Sequence, residues 1–205
     1  MLIFINDIKY TIANMKSFIE CNFTPEFIVY VYITNLKTIF MSKNQSLIAE
    51  LQHEAVSTRK SLERVKEGTY DFKPHEKSMT LIRLAGHLAE IPGWIEPTVN
   101  LNGMDFAKMD YKPPVITNNA ELLALFDKSL AEGLKALESA SDDNLMATWT
   151  AKNNGEVAFA MARIQVIRGM IIKHLVHHRA QLGIYLRMTD TPVPATYGPT
   201  ADEYK

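Results

Sequence analysis

The sequence predicts an all-α protein: a four-helix bundle with long loops and an extended C-terminal tail. Four long stretches repeat apolar residues at the helical period. Clusters of Gly and Pro separate them. No convincing run of alternating strands follows residue 40. Amphipathic helices of this kind bury their stripes by packing on one another.

The first helix is expected from about Asn44 to Glu67, with Leu47, Ile48, Leu51, Ala55, Leu62 and Val65 on one side. A turn-like stretch, 68–77, contains Pro74. The second helix opens with Ser78 as its N-cap and runs towards Trp94, burying Leu81, Leu84, Leu88 and Ile91. Pro92 lacks the N–H that a helix interior needs, so a kink or local break is expected there. Residues 101–117, with Gly103 and Pro113-Pro114, read as a loop. Asn118 opens the third helix, with Glu121 three residues on as a variant of the capping box, and the helix reaches about Ser139. Residues 141–156 are polar and irregular, and Thr148-Trp149-Thr150 can pair across the turn signal Asn153-Asn154-Gly155 as a small hairpin. The fourth helix is expected from about Val157 to Met188, and the proline-containing tail from Thr189 to Lys205 as an extended cover.

A chain of 205 residues can bury one sizeable core. A net charge of -1 gives no electrostatic reason to expect nucleic acid or an acidic membrane as partner. There is also no basic helix or groove-reading motif. The single cysteine, Cys21, excludes a disulfide framework, a cysteine zinc site and an iron–sulfur cluster within one chain. It is compatible with a reducing, cytoplasmic setting.

Residues 1–40 do not match the rest. Ile, Phe, Tyr, Asn and Lys fill 23 of these 40 positions but only 39 of the following 165, and every glycine lies after residue 40. Those residue types have AT-rich codons. Residues 1–40 are therefore expected to be a non-native upstream extension or a disordered segment, and residues 41–205 the folded domain. The run from Phe27 to Ile33 reads at most as a strand and is too short to cross a bilayer as a helix. The start lacks the basic region and cleavage site of a signal peptide. A chain beginning at Met41 should melt at the temperature of the full chain; a large drop on deleting residues 1–40 would contradict this division.

The chemistry lies in the histidines, of which there are six. With His174 at zero degrees and 100 degrees per residue, His178 falls at about 40 degrees, amid Ile167, Ile171, Tyr185 and Gln181. His177 falls on the shoulder, and Lys173 and Arg179 lie off the stripe. A lone inward histidine is most simply a bonded core residue. Two at i, i+4 project into the same low-dielectric space, where neither is easily charged. A divalent metal resolves this by taking neutral imidazole nitrogens as ligands. A third ligand must come from another helix. His87 flanks the apolar stripe of the second helix, on the side of Thr80 and Trp94. His53 faces solvent and His75 sits in a loop. The candidate metal ligands are therefore His87, His174 and His178. Neither His53-Glu54 nor His75-Glu76 completes an H-E-x-x-H motif. Glu90 and Gln181 are placed to accept ring protons, Arg179 to form an inter-helix salt bridge or face solvent, and Trp94 to pack or to wall a pocket.

The segment His174-Leu175-Val176-His177-His178-Arg179-Ala180-Gln181-Leu182 resembles the signature on the last bundle helix of the DinB family, the DinB/YfiT-like metalloenzymes. Leu84-Ala85-Gly86-His87-Leu88 is similar to the family's second-helix histidine segment. Tyr185-Leu186-Arg187, Pro192-Val193-Pro194 and Tyr197-Gly198-Pro199 look like its close. The resemblance spans about residues 42–200. It departs mildly at Ala180, where the family often has glycine. It implies a four-helix bundle, usually a homodimer, with a divalent metal such as zinc or nickel on His87, His174 and His178. It also implies a small-molecule substrate, in some members a low-molecular-weight thiol.

Three protein nitrogens leave a metal position open, as in catalytic sites. The expectation is a metal-dependent enzyme that activates water or a thiol for hydrolysis or thiol transfer on a small molecule. The alternative is a non-catalytic metal-binding or stress-related interaction module. Catalytic residues beyond the ligands are not assigned by the sequence.

Overall fold

Leu47, Leu51 and Leu62 recur every three to four residues or a multiple of that spacing, and all three are fully buried on helix α1, Lys43–Glu63. The helix opens where the Ser42 backbone N–H donates to Gln45 Oε1 at 3.2 Å. It ends one turn before the expected Glu67. The computed structural model describes residues 41–203, which belong, from Ser42 onward, to one unit. The expectations for residues 1–40, the upstream extension and the 27–33 strand among them, lie outside the described residues.

Helix α2, Leu81–Glu90, is capped by Thr80 rather than Ser78. The Thr80 hydroxyl accepts from the Arg83 backbone N–H. Leu81, Leu84 and Leu88 are buried as expected, and Pro92 falls in a 3₁₀ turn, Ile91–Trp94, that tightens the chain before the short α3, Ile95–Asn100. Helix α4, Asn119–Ser139, has Asn118 as its cap, accepting from Glu121 N–H at 2.9 Å. Glu121 itself reaches back to Thr117 rather than to the cap residue. After α5, Asp142–Met146, come strands β2, Thr148–Asn153, and β3, Glu156–Ala162.

The strands correct the expectation of an all-α chain. The protein is mostly helical but carries a three-stranded sheet in the order β1-β2-β3, where β1 is Gly103–Asp105, inside the expected loop. β2 and β3 form the anticipated hairpin: Asn153 pairs with Glu156 across Asn154 (φ 53) and Gly155 (φ +85), the left-handed pair that a two-residue I′ turn requires. β1 pairs parallel to β2. Asp105 then secures the hairpin tip by accepting from the Asn154 and Gly155 backbone N–H groups. The last helix is corrected as well. Residues 157–162 are strand, and the helix begins only at Arg163, as α6, Arg163–Val166. It continues through a π-helical turn, Ile167–Ile172, into α7, Lys173–Met188. Arg163 anchors this start: its guanidinium donates to the carbonyls of Thr98, Leu101 and Asn144 and to Asn102 Oδ1. Buried and bonded to uncharged acceptors, it joins the helix start to the end of α3.

The long helices pack pairwise: α1 on α4 and α7, α2 on α4 and α7. Leu47, Leu51, Leu84, Leu88, Leu122, Phe126, Leu175 and Leu182 meet in one core. Each contributes about 1.5–3 kcal/mol by leaving water. Where α4 crosses the 3₁₀ turn, Gly133 lies so close that an added Cβ would stand 2.5 Å from the Pro92 carbonyl oxygen. A main-chain oxygen in a packed turn cannot step aside. Gly133→Ala should therefore cost about 1–3 kcal/mol through overpacking, outweighing the roughly 1 kcal/mol that Ala gains over Gly in a helix. Thermal melting should show a drop of several degrees; an unchanged melting temperature would mean the two elements can separate freely.

The tail from Thr191 onward has no regular structure until Thr200. It lies over the helices, with Val193 against the core. No helix of the described residues is long and apolar enough to cross a membrane.

Candidate metal centre

Two turns of α7 and one side of α2 define the site. His174 and His178, one helical turn apart, bring their ring centroids to 4.4 Å with the planes tilted by 49°. The His87 ring lies 5.3 Å from that of His174 and 4.7 Å from that of His178. One ligand-capable atom from each of the three falls within 4.8 Å of the others. His53, His75 and His177 are exposed and stand outside this group, although the His177 ring packs 4.9 Å from that of His178. The three residues selected from helical phase are thus the three that the fold brings together.

Two of the rings have hydrogen-bond partners on their outward nitrogens. His87 Nδ1–H donates to Glu90 Oε1 at 2.8 Å, since a carboxylate can only accept. His178 Nδ1–H donates to Gln181 Oε1 at 2.7 Å. With Nδ1 protonated on His87 and His178, their Nε2 atoms turn inward, and the Nε2 of His178 lies 2.7 Å from that of His174. Without a metal, an Nε2–H on one ring donates to the Nε2 of the other; a bound cation would take the place of that proton. Burial pushes the His174 imidazole below its ordinary value, aided by the neighbouring His87. Burial likewise pushes His178 down to about 4, although the Gln181 bond opposes it. Both rings are neutral at pH 7, the form that ligates metal. The donor set and its spacing fit a divalent cation.

Glu90 and Gln181 occupy the roles expected from helical position. Trp94 walls the site, its ring 5.3 Å from His87 and 5.6 Å from His174. Arg179 is buried and forms the inter-helix salt bridge, 2.7 Å from Glu54 Oε2 on α1. Tyr185 belongs to the core, and its hydroxyl donates to the Met79 carbonyl. Gly86, next to His87, admits the side chains of Pro114 and Ile116, so the 113–117 segment packs directly on α2 beside the site.

Other participants were not foreseen. The Tyr111 hydroxyl donates to Glu90 Oε1 at 2.6 Å and accepts from Arg83 Nη2 at 2.9 Å, while Arg83 Nη1 lies 3.7 Å from the same carboxylate. Arg83, His87 and Glu90 share a face of α2 by their i, i+4, i+7 spacing, a legible signal. Tyr111 comes from a loop and carries none. The π turn immediately before His174 also escapes a reading at 100 degrees per residue; such turns often mark functional positions. His87, Trp94 and His174 border a cavity of about 460 Å³, which the sheet helps to wall through Met104 and Trp149.

Comparison with known proteins agrees with this architecture. The family model described as the DinB superfamily matches residues 50–182. A DinB-like protein from Bacillus cereus ATCC 10987 superposes with a TM-score of 0.58 at 21% identity, over 75% of this chain and 97% of that one. A DinB-like protein from Bacillus subtilis, YjoA, gives 0.58 at 16% identity, over 74% of this chain and 97% of that one. At these identities the likeness is one of fold. No curated protein matches the chain.

Proposed function

The chain belongs to the DinB superfamily, and from that premise we propose that it is a divalent-metal-dependent enzyme acting on a small molecule, with His87, His174 and His178 as the metal ligands. The observation that carries this reading is the convergence of three ring nitrogens within 4.8 Å at the wall of a cavity large enough for a substrate. In this reading the four long helices are the bundle that holds the ligands. Zinc or nickel suits an all-imidazole set. When bound, the metal would lower the pKa of a water or a low-molecular-weight thiol, supplying a nucleophile near pH 7 for hydrolysis or thiol transfer.

The chain's own residues prepare the site. Glu90 and Gln181 hold the Nδ1 protons of His87 and His178, which keeps both Nε2 lone pairs directed inward. Tyr111 and Arg83 fix the Glu90 carboxylate in turn. Trp94 shields two of the rings from water on one side. Among the described residues the ligand cluster has three members and borders a cavity, whereas a purely structural zinc site is normally closed by four protein ligands. This favours the enzyme over a non-catalytic metal-binding module.

The test begins with elemental analysis of the purified full chain after loading with zinc or nickel. The loaded and stripped proteins are then screened against thiol cofactors with electrophilic acceptors and against simple esters and amides. Turnover by the loaded protein alone is expected. Failure to take up either metal stoichiometrically would overturn the proposal; uptake with no turnover of any kind would favour the module.

A further inference from the structure

The cavity of about 460 Å³ beside the histidines falls within the size range of small-molecule sites. Helices, the sheet and the 106–111 segment all contribute wall, so it is a cup rather than a flat face. Its surface is mainly apolar, with Met104, Met109, Met170 and Ile171 among the lining side chains. Three polar lining residues are engaged with other groups. Arg83 lies 3.7 Å from the Glu90 carboxylate and donates to the Tyr111 hydroxyl, which donates to that same carboxylate. The Thr98 hydroxyl donates to the Trp94 carbonyl. His87 and His174, two of the three proposed ligands, also line the cavity. Phe106, Met109, Tyr111 and Met170 are between 40% and 48% exposed and share this one wall. Large apolar side chains scattered singly over a surface need no account, but four gathered around one cavity mark a binding site.

We propose that the cavity takes the body of an apolar small molecule whose single polar group lies at the histidines, and that such molecules are the substrate class of the adjoining metal centre. The assignment of substrate class rests on the metalloenzyme reading; the preference for an apolar body does not. The body gains by covering carbon that is otherwise left to water. A charge placed on it away from the histidines would lose its water and find no free counter-charge in the lining, where Arg83 is matched by Glu90. Three methionines, Met104, Met109 and Met170, give the wall an adaptable shape, which suits a class of apolar bodies rather than one outline.

The test is calorimetric titration of the full chain, both stripped of metal and zinc-loaded, with four hydroxamates: acetohydroxamate, benzohydroxamate, 4-ethylbenzohydroxamate and 4-carboxybenzohydroxamate. The hydroxamate is the metal-directed group, and the ethyl and carboxylate substituents are close in size. Affinity should rise from the acetyl to the benzoyl to the ethylbenzoyl probe, the last step by at least about fivefold for its two added carbons. The carboxylate probe should bind at least about tenfold more weakly than the ethyl probe. The stripped protein should keep this order with lower affinities, and zinc should tighten the ethyl probe at least about tenfold. Phe106→Ala should weaken the ethyl probe at least about threefold; Phe106 is half-exposed on a short turn, so its loss leaves the core intact. Ile184→Ala should change nothing, because Ile184 lines a different cavity, of about 490 Å³, between α7 and the tail. Equal binding of the ethyl and carboxylate probes by the unaltered chain would overturn the proposal without recourse to any variant. So would sensitivity to Ile184→Ala in place of Phe106→Ala. Equal affinity of the ethyl probe for stripped and zinc-loaded protein would part the cavity from the metal and overturn the substrate class. If the chain takes up no zinc yet keeps the order of affinities, the metalloenzyme reading fails and the apolar site stands. If it takes up zinc but binds all four probes alike, the metal centre stands and the apolar site fails.

Discussion

Replacing His174 by Ala is expected to take the metal-loaded protein from about one ion per chain to none, while His53→Ala leaves the content unchanged. His174 supplies one of three converging nitrogens, and its Nε2 faces that of His178 at 2.7 Å. Two remaining imidazoles seldom retain a divalent ion through dialysis. His53 is exposed on α1 and outside the cluster, so its loss controls for adventitious histidine binding. Glu90→Gln should fall between these extremes, with a loss of roughly 10–100-fold in affinity, because it weakens the acceptor that orients His87 without removing a ligand. Protons compete for the same lone pairs. The His178 value is depressed to about 4, against about 6.5 for an unperturbed imidazole, so competition at this ring is weak at neutral pH and sets in as pH falls towards the lower figure. Elemental analysis of the dialysed variants measures all of this, and equal metal in the His174 and His53 variants would remove the basis for the proposed chemistry.

The site could be read from the sequence because its spacing is local. His174 and His178 share a face by helical arithmetic alone. His87 is the one remaining histidine that lies beside an apolar stripe. The same arithmetic picks out Glu90 and Gln181, three residues from a ligand on the same helix. What escaped depends on contacts distant in sequence or on a change of period. β1 is three residues long and pairs with Thr150–Lys152, nearly fifty positions away, so nothing in Gly103–Asp105 announces a strand. Val157–Ala162 is a short, mostly apolar run leading into a helix, and periodicity alone cannot separate such a strand from the first turns of that helix. The π turn changes the phase upstream of His174, yet Ile167 and Ile171 remain buried, so the apolar stripe conceals the change. Tyr111 reaches Glu90 from a loop whose path no local pattern encodes.

The helix that carries two of the three proposed ligands also holds the residue whose loss should harm stability most. Arg179 points away from His174 and is buried, its guanidinium 2.7 Å from Glu54 Oε2. It also donates to the Glu54 carbonyl at 3.0 Å, Thr58 Oγ1 at 3.3 Å and the Tyr197 hydroxyl at 2.8 Å, and it lies over the Tyr197 ring. Tyr197 closes the arrangement by donating to Glu54 Oε2. One fork thus ties α7 to α1 and to the C-terminal tail, and a lysine, with its single ammonium, cannot reproduce it. Arg179→Ala should cost about 3–5 kcal/mol, because a mostly buried carboxylate loses its cation. Arg179→Lys should cost less. Pairing Arg179→Met with Glu54→Leu should recover much of the loss, since no charge is then left unpaired. Denaturant titration of the four proteins decides the matter. If Arg179→Ala proves no worse than the double variant, the penalty lies in lost packing and not in the stranded charge. Limited proteolysis adds an independent reading: with Tyr197 released, cleavage should appear in residues 190–203 under conditions where the rest of the chain is still folded. His178 adjoins Arg179 in sequence but faces the other way, so below its lowered melting temperature the Ala variant should still hold the metal that His174→Ala cannot.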